Sequence, residues 1–147
     1  VTGVQTCALP IWSAIRSVHA VSTTVGSGSG ADDVGATLAF TDGSVATIAY
    51  TGLGDASFAK EMIEVYAAGS VIRIDDFRSC TIVANGRTAT ERSLTGQDKG
   101  HAAEMAAFIG AVRGQHEPPI GEVELIETSL ATIAILESLQ TGQTIDI

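Results

Sequence analysis

The sequence predicts an α+β protein, and two observations carry this prediction. Three turn sequences, Asp42-Gly43, Ala68-Gly69 and Asn85-Gly86, each lie between short runs rich in β-branched and other apolar residues, which is the pattern of β-hairpins. After residue 98 the apolar residues recur at helical spacing instead. Strands followed by helices favour a sheet with helices laid against it. We therefore expect an antiparallel meander sheet of about six strands, with two main helices packed on one face.

The first strands begin near Ser17, where the segment SVHAVSTTV is rich in β-branched residues. A loop-like segment, GSGSGADD, follows and leads into the hairpin GATLAF-TDGS-VATIAY. We interpret Asp42-Gly43 as a two-residue turn, in which both positions need a positive φ. That register places Leu38, Phe40 and Val45 on one face of the sheet and Ile48 and Tyr50 on the other.

Two further hairpins follow in series. EMIEVYA-AGS-VIRIDDF turns near Ala68-Gly69, and CTIVA-NG-RTATERS turns at Asn85-Gly86. The last of these strands carries Arg87, Glu91 and Arg92, and charged residues of this kind suit a sheet edge because they discourage pairing with another chain.

The two helices are predicted over Asp98–Arg113 and Glu122–Gln140. In the first, Asp98 is a candidate N-cap and Gly114 a candidate stop, with an apolar face formed by Ala102, Met105, Ile109 and Val112. In the second, Gly142 ends the helix, and the expected buried stripe consists of Val123, Ile126, Leu130 and Ile133.

The two-faced apolar pattern of the hairpins predicts a homo-oligomer. Two helices can cover one face of the sheet, which leaves the face of Ile48 and Tyr50 open. A large exposed apolar patch is unusual on a monomer, so we expect a symmetric dimer packed through the open sheet face.

The opening eleven residues, VTGVQTCALPI, have no charge and no apolar period. Read back into codons, they resemble the end of a short-read sequencing adaptor. We therefore expect residues 1–11 to be an adaptor-derived artefact that does not join the core, and residues 12–147 to form the native domain.

Composition excludes several classes of partner. The formal net charge is -9, and an acidic chain lacks the basic surface of a nucleic-acid binder. No apolar run approaches the ~18 residues of a membrane span. Outside residues 1–11, Cys80 is the one Cys, so we expect no disulfide within the domain. That low cysteine content favours a cytoplasmic location.

Most short motifs favour structural roles. Gly26 to Ala31 match a dinucleotide-binding glycine fingerprint, but a strand follows where that motif requires a helix, so we expect a loop and no cofactor-binding residue. Asp75-Asp76 would point to opposite faces of a strand and are a poor metal pair. His116-Glu117 has no second His for a zinc motif. We expect no metal site, and we interpret Cys80 as a small core residue rather than a nucleophile.

One cluster, Asp98-Lys99-Gly100-His101, remains open between two readings. It combines a carboxylate, an ammonium and an imidazole at a helix start, where an anion can bind. Lys99 and His101 are therefore the candidate site residues, although no catalytic residue is assigned. The alternative is an N-cap with solvated side chains, which composition alone favours.

Four segments together resemble the C-terminal domain of the Gfo/Idh/MocA oxidoreductases, the relatives of glucose–fructose oxidoreductase and inositol dehydrogenase. They are LAFTDGSVATIAYTGLGD, AKEMIEVYAAGSVIRIDDF, QDKGHAAEMAAFIGAVRG and LATIAILESLQTG. Their order and spacing are more specific than any single segment, and the resemblance covers the chain from about Val18 to its end. The look-alikes include members fused to a zinc-type alcohol dehydrogenase half.

The resemblance implies a parent enzyme that transfers a hydride between NAD or NADP and a sugar, polyol or related hydroxy compound. The family's glycine fingerprint, its Lys in an E-K-P stretch and its substrate-binding His and Asp have no match here. We therefore expect a truncated second domain that supplies substrate-pocket walls and an oligomer interface, and that as a fragment is inactive and binds no cofactor. The alternative is a free-standing, non-enzymatic α+β module that binds a ligand or partner.

Overall fold

The computed structural model describes residues 13–23, 33–94 and 96–147. Within them the chain divides into two compact units. We call residues 55–119 the central unit and residues 13–54 with 120–147 the flanking unit. Residues 1–11 and the glycine-rich segment Gly26 to Ala31 lie outside the described residues, so the adaptor and loop predictions stay predictions.

The flanking unit contains four strands and one helix. They are β1 (Ile15–Ser22), β2 (Val34–Phe40), β3 (Val45–Tyr50), α2 (Glu122–Thr141) and β8 (Ile145–Asp146). The central unit contains four strands and one helix as well. They are β4 (Met62–Ala67), β5 (Ser70–Asp75), β6 (Ser79–Ala84), β7 (Arg87–Arg92) and α1 (His101–Val112).

The strands form two antiparallel sheets rather than one meander of about six strands. Their orders are β3-β2-β1-β8 and β4-β5-β6-β7. The break follows β3, where the Asp33 carboxylate accepts hydrogen bonds from the Thr51 hydroxyl at 2.7 Å and the Gly52 amide at 2.9 Å. These bonds hold the chain after β3 beside the start of β2, and β4 pairs with β5 rather than with β3. The α+β class is confirmed, and the single sheet is wrong.

The core of the flanking unit lies between one sheet face and α2. Val18, Ala20, Ala36, Leu38 and Phe40 are buried together with Ala131 and Ala134 of the helix. The Ser138 hydroxyl is fully buried there, accepts a hydrogen bond from the Ala20 amide at 2.9 Å and donates one to the Gln143 carbonyl at 2.6 Å. This pair of bonds satisfies a polar group inside the core and fixes the end of α2 against β1.

The buried face of α2 is not the predicted one. The expected stripe of Val123, Ile126, Leu130 and Ile133 is exposed, and the buried residues are Ala131, Ala134 and Ser138. Small side chains let the helix lie close to the sheet, which a stripe of large residues would hold away. Most of the large apolar residues of α2 consequently face outward, while Ile135 and Leu139 are partly buried against the core.

The β2–β3 hairpin has a three-residue loop instead of the predicted two-residue turn. Phe40 donates to the Ser44 carbonyl at 2.9 Å, and the loop is Thr41-Asp42-Gly43, in which Gly43 alone has a positive φ. The extra residue shifts the register by one and reverses every face of β3.

Ile48 therefore pairs with Ala36 and Tyr50 with Val34, on the face that also carries Leu38, while Val45 pairs with Ala39 on the other face. The predicted assignment of these three residues is wrong. The open face is less apolar than expected, because it carries His19, Thr37 and Thr47 beside Val21 and Val45.

The central sheet follows its turn sequences closely. Ala67 pairs with Ser70 and Ala84 with Arg87, so Ala68-Gly69 and Asn85-Gly86 are two-residue loops with positive φ at every position. Both hairpin predictions are confirmed. Asn85 tolerates this left-handed conformation better than most other non-glycine residues do. Ala68 adopts it with a φ of 48° and therefore carries some strain.

The two faces of the central sheet differ in polarity. One face carries Ile72 and Cys80, which are buried, with Val65 and Ile74 packed against them. Cys80 is thus a core residue as predicted, but it is disulfide-bonded. Because Cys80 is the one Cys of residues 12–147, this bond is not one within the predicted domain, and the expectation of no disulfide within that domain is not contradicted.

The helix α1 begins three residues later than predicted. Its N-cap is Gly100, with a φ of 79°, and no side chain caps it. Asp98 instead accepts the Gly100 amide at 2.9 Å, so the N-cap prediction for Asp98 is wrong. Met105, Phe108 and Val112 are more than half exposed, so the expected packing of both helices on one sheet face holds for α2 only. None of the described helices is long and apolar enough to cross a membrane.

Candidate functional site

A cavity of about 730 Å³ lies in the central unit. This volume is within the range of small-molecule sites, roughly 300–1,000 Å³. Twelve residues line it, and their side chains are mostly polar or charged: Ala56, Ser57, Phe58, Ala59, Lys60, Asp75, Asp76, Arg78, Ser79, Arg92, Ser93 and Gln97. All of them belong to one compact unit.

One wall of the cavity is the polar face of the central sheet. Asp75 pairs with Ser79, and Ser79 pairs with Arg92, so these three residues form a row across β5, β6 and β7. Paired residues in antiparallel strands present their side chains on the same face. The next row along that face is polar too, since Arg73 forms an ion pair with Glu64 at 3.6 Å and Thr81 bonds Thr90 at 3.1 Å.

The segment 56–60 forms a second wall and is shaped by Asp55. The Asp55 carboxylate accepts hydrogen bonds from the Ser57 amide at 2.8 Å and the Ser57 hydroxyl at 2.7 Å, and the Phe58 amide donates to the Asp55 carbonyl at 3.0 Å. The Ser57 hydroxyl and amide lower the pKa of Asp55 because they stabilise the ionised carboxylate. The turn is consequently held by a charge that persists at neutral pH.

The β5–β6 turn supplies the third wall. Asp76 and Phe77 both adopt positive φ, 48° and 51°, and the Arg78 amide donates to the Asp75 carbonyl at 2.9 Å. In this conformation the Arg78 Nε atom donates to the Asp76 carboxylate at 2.9 Å. The Arg78 charge is thereby balanced locally, while its terminal guanidinium nitrogens keep donors for other groups.

Hydrogen bonds link this turn to the residues before α1. The Gln97 amide nitrogen donates to Asp76 at 3.0 Å and to Glu61 at 3.1 Å. Lys99 donates to the other oxygen of Glu61 and lies 5.9 Å from the centre of the Phe77 ring. Glu61 thus joins the start of β4 to the sequence-predicted cluster, and Gln97 carries the connection to the cavity wall.

The structure separates the two candidate site residues. Lys99 is held by Glu61 next to the cavity without lining it, and His101 is exposed at the first position of α1. Among the described residues neither lies in the cavity. Their roles stay predictions.

The other motifs carry no site in the part of the chain that the structure describes. Asp75 and Asp76 do not form a chelating pair, since Asp76 is bonded to Arg78 and Gln97. The His116 ring bonds the Glu117 carbonyl at 2.8 Å. No group of three or more potential ligands capable of holding a metal ion occurs in the described ranges.

Sequence reasoning missed Lys60, Arg78 and Arg92 as site residues, because each is an ordinary surface cation when considered alone. One signal was present. A two-residue turn at Asn85-Gly86 already pairs Ser79 with Arg92, and Ser79 lies beside the Asp75-Asp76 pair at the β5–β6 turn. The contribution of the segment 56–60 has no signal of this kind.

Solved structures match the fold of this chain over most of its length. An aldose-aldose oxidoreductase from Caulobacter crescentus, complexed with glycerol, aligns with a TM-score of 0.71 at 17% identity, over 92% of this chain and 42% of that one. A UDP-N-acetylglucosamine 3-dehydrogenase from Acidithiobacillus ferrooxidans aligns with a TM-score of 0.71 at 15% identity, over 87% of this chain and 41% of that one. An NAD-binding oxidoreductase from Klebsiella pneumoniae aligns with a TM-score of 0.74 at 13% identity, over 91% and 45%.

At these identities the likeness shows the fold alone, and the fold agrees with the one implied by the sequence resemblance. The chain spans less than half the length of these three proteins. No family model and no curated protein matches the sequence.

Proposed function

We propose that this chain is part of an NAD(P)-dependent oxidoreductase that acts on a sugar, polyol or related hydroxy compound. The observation that most strongly supports this proposal is the similarity of fold. About nine tenths of this chain aligns with less than half of each of several oxidoreductases. One of those proteins is complexed with glycerol, and another acts on a sugar nucleotide. The resemblance in segment order points to the same parent activity, which we place in the cytoplasm.

Within that parent, the chain's proposed contribution is binding rather than hydride transfer. The cavity of the central unit would form a wall of the substrate pocket, because its Ser, Asp, Arg and Gln side chains match the hydrogen-bonding needs of a hydroxylated ligand. Lys99 and His101 would lie on the substrate side of α1, beside the Glu61–Gln97 connection. The nicotinamide cofactor would be bound by the part of the parent that has no counterpart here.

The oligomer interface is proposed on the helix-free face of the flanking sheet. Val21 and Val45 are exposed there, at 59% and 67%, and they replace the Ile48 and Tyr50 that the sequence pattern placed on that face. A symmetric dimer would bury both. Substituting Val45→Asp should then shift the mass measured by light scattering from dimer to monomer while the circular dichroism spectrum is kept, and a wild-type monomer at high concentration would refute the interface.

A second candidate is a free-standing binding module, for which the cavity of the central unit would serve as the ligand site. Sequencing the source locus upstream of residue 12 from an independent library distinguishes the two. An in-frame dinucleotide-binding domain supports the oxidoreductase, and a native start codon supports the module. If the native locus encodes VTGVQTCALPI, the adaptor hypothesis is wrong.

Calorimetry on the isolated chain supplies a second test. We expect no binding of NAD or NADP in the micromolar range. Tight binding of either cofactor by this chain would contradict the proposal that another part of the parent protein binds the cofactor.

A further inference from the structure

The lining of the cavity has an unusual concentration of cations for so acidic a chain. The protein has eight Lys and Arg residues and a formal charge of -9, yet three of the eight, Lys60, Arg78 and Arg92, line this cavity. A proportionate share for twelve lining residues would be less than one. Basic residues are therefore gathered at one place while the rest of the surface is acidic.

The charges of the lining do not cancel. Arg78 is paired with Asp76 at 2.9 Å, which leaves Lys60 and Arg92 opposed by Asp75. Lys60 and Arg92 form no ion pair with any residue that the structure describes. The cavity consequently has one positive charge in excess.

The placement of Arg92 contrasts with that of its neighbours. On the polar sheet face, Glu64 is paired with Arg73 and Thr81 with Thr90, so the row next to the cavity is internally satisfied. In the cavity row itself, Asp75, Ser79 and Arg92 are in register, and the Arg92 guanidinium has five donors without a described acceptor. A planar fork of this kind suits the bidentate recognition of phosphate or carboxylate.

We infer that the cavity binds a small polyol that carries one anionic group, either a phosphate or a carboxylate. Arg92 and Lys60 hold the anionic group, and Arg78 adds donors from its unpaired nitrogens. Ser79, Asp75 and Gln97 then face the hydroxyl groups of the same ligand. The volume of about 730 Å³ accommodates a ligand of that size and is far more than a bare anion needs.

This inference rests on the proposed function for the polyol part of the ligand and on the cavity alone for the anionic part. The two can fail separately. Upstream sequencing decides the oxidoreductase, whereas binding by the isolated chain decides the anion site, so a free-standing module that binds an anionic sugar would refute the first and support the second.

The test is calorimetric titration of the full chain at low ionic strength with four probes: glucose 6-phosphate, gluconate, inorganic phosphate and glucose. We expect at least one of the two anionic sugars to bind, and to bind about tenfold or more tightly than glucose, because an ion-assisted hydrogen bond contributes more than a neutral one. Which of the two binds more tightly distinguishes phosphate from carboxylate. Glucose binding as tightly as both anionic sugars would overturn the inference, and so would the absence of binding by either.

Three exposed-residue variants locate the site without disturbing a core. Arg92→Gln should weaken binding of the preferred anionic sugar by about tenfold or more, whereas Arg87→Gln, at the other end of β7 and outside the cavity, should leave it unchanged. Asp75→Asn should tighten inorganic phosphate severalfold by removing a like charge. Equal affinity in the Arg92 and Arg87 variants would place the binding elsewhere and contradict the proposal, as would weaker phosphate binding by the Asp75 variant.

Discussion

The flanking unit and the central unit are both four-stranded antiparallel sheets with one helix, yet they differ in how many apolar residues they bury. In the flanking unit, seven buried apolar residues form one cluster between the sheet and α2. Among the residues of the central unit that the structure describes, the buried cluster consists of Ile72 and Cys80, and α1 leaves its large apolar side chains exposed. Two four-stranded antiparallel sheets thus form a helix-sealed core in one unit and an open polar face with a cavity in the other.

The difference teaches where stability and binding are located. Burial of apolar area is the main favourable contribution to folding, so the flanking unit should be the more stable part. A polar sheet face cannot contribute in that way, but it can present cations and hydroxyl groups to a ligand. The central unit therefore has the smaller apolar core and the polar sheet face that can bind a ligand. The following substitutions test that contrast.

The largest effect should come from removing a core aromatic ring. Phe40 is 8% exposed in the flanking core, and Phe40→Ala should lower the free energy of unfolding by about 3–5 kcal/mol, because it leaves a cavity as well as losing buried area. Phe58 of the central unit is 79% exposed, and Phe58→Ala is the matched control, with an expected change within about 0.5 kcal/mol. Urea unfolding followed by circular dichroism measures both. Similar losses in the two variants would remove the distinction between the units.

The next effect concerns the buried hydroxyl that joins α2 to β1. Ser138→Ala should cost about 1–3 kcal/mol, since the buried Ala20 amide and the Gln143 carbonyl each lose a partner. Ser129→Ala is the control on the same helix, where the exposed hydroxyl bonds only the Leu125 carbonyl, and little change is expected. If Ser138→Ala unfolds at the same urea concentration as the wild type, the Ser138 bonds do not hold α2 in place.

Substitutions at two adjacent residues of α2 test which face of the helix is buried. Ala134 is 4% exposed and Ile133 is 60% exposed, so Ala134→Leu should destabilise by about 1–3 kcal/mol through overpacking, while Ile133→Leu should be neutral. The sequence-predicted stripe gives the opposite order, because it buries Ile133. Thermal melts of the two variants decide between the two registers.

The smallest effect is a local pH dependence in the central unit. The folded-state pKa of Asp55 is lowered by the Ser57 hydroxyl and amide, so the stabilisation of this turn is fully present above the unfolded value of about 3.9. It is lost as the pH falls below that value and through the lowered folded pKa. Ser57→Ala should raise the pKa of Asp55 in a carbon-detected NMR titration and leave that of Asp42 unchanged. An unchanged Asp55 pKa in the variant would contradict the hydrogen-bond account.

Much of the fold was accessible from local turn chemistry. Ala68-Gly69 and Asn85-Gly86 fixed the register of the central sheet, because two-residue loops with positive φ permit one pairing. The two-residue turn predicted at Asp42-Gly43 was wrong because Thr41 also belongs to the loop. A single added residue reverses the faces of β3. The split into two sheets after β3 is marked by no local sequence pattern.

The face of α2 and the site were harder to predict, for related reasons. A helix that is apolar on every side has no periodicity that selects a buried stripe, and the close approach allowed by Ala131, Ala134 and Ser138 decides it. The cavity combines strand ends with the segment 56–60, which are distant in sequence. Lys99 and His101 were identified as neighbours in the chain, whereas Lys60 and Arg92 come to line one cavity only in the folded unit.

Native-state hydrogen exchange of the wild-type chain tests the contrast between the two units most directly. Amides of β1 and β2, which lie under α2, should exchange more slowly than those of β5 and β6, and by about tenfold or more, because opening them requires breaking the larger core. The Ala20 amide, bonded to the buried Ser138 hydroxyl, should be among the slowest. Exchange of β5 and β6 that is as slow as that of β1 and β2, or slower, would contradict the division into a stabilising flanking unit and a ligand-binding central unit.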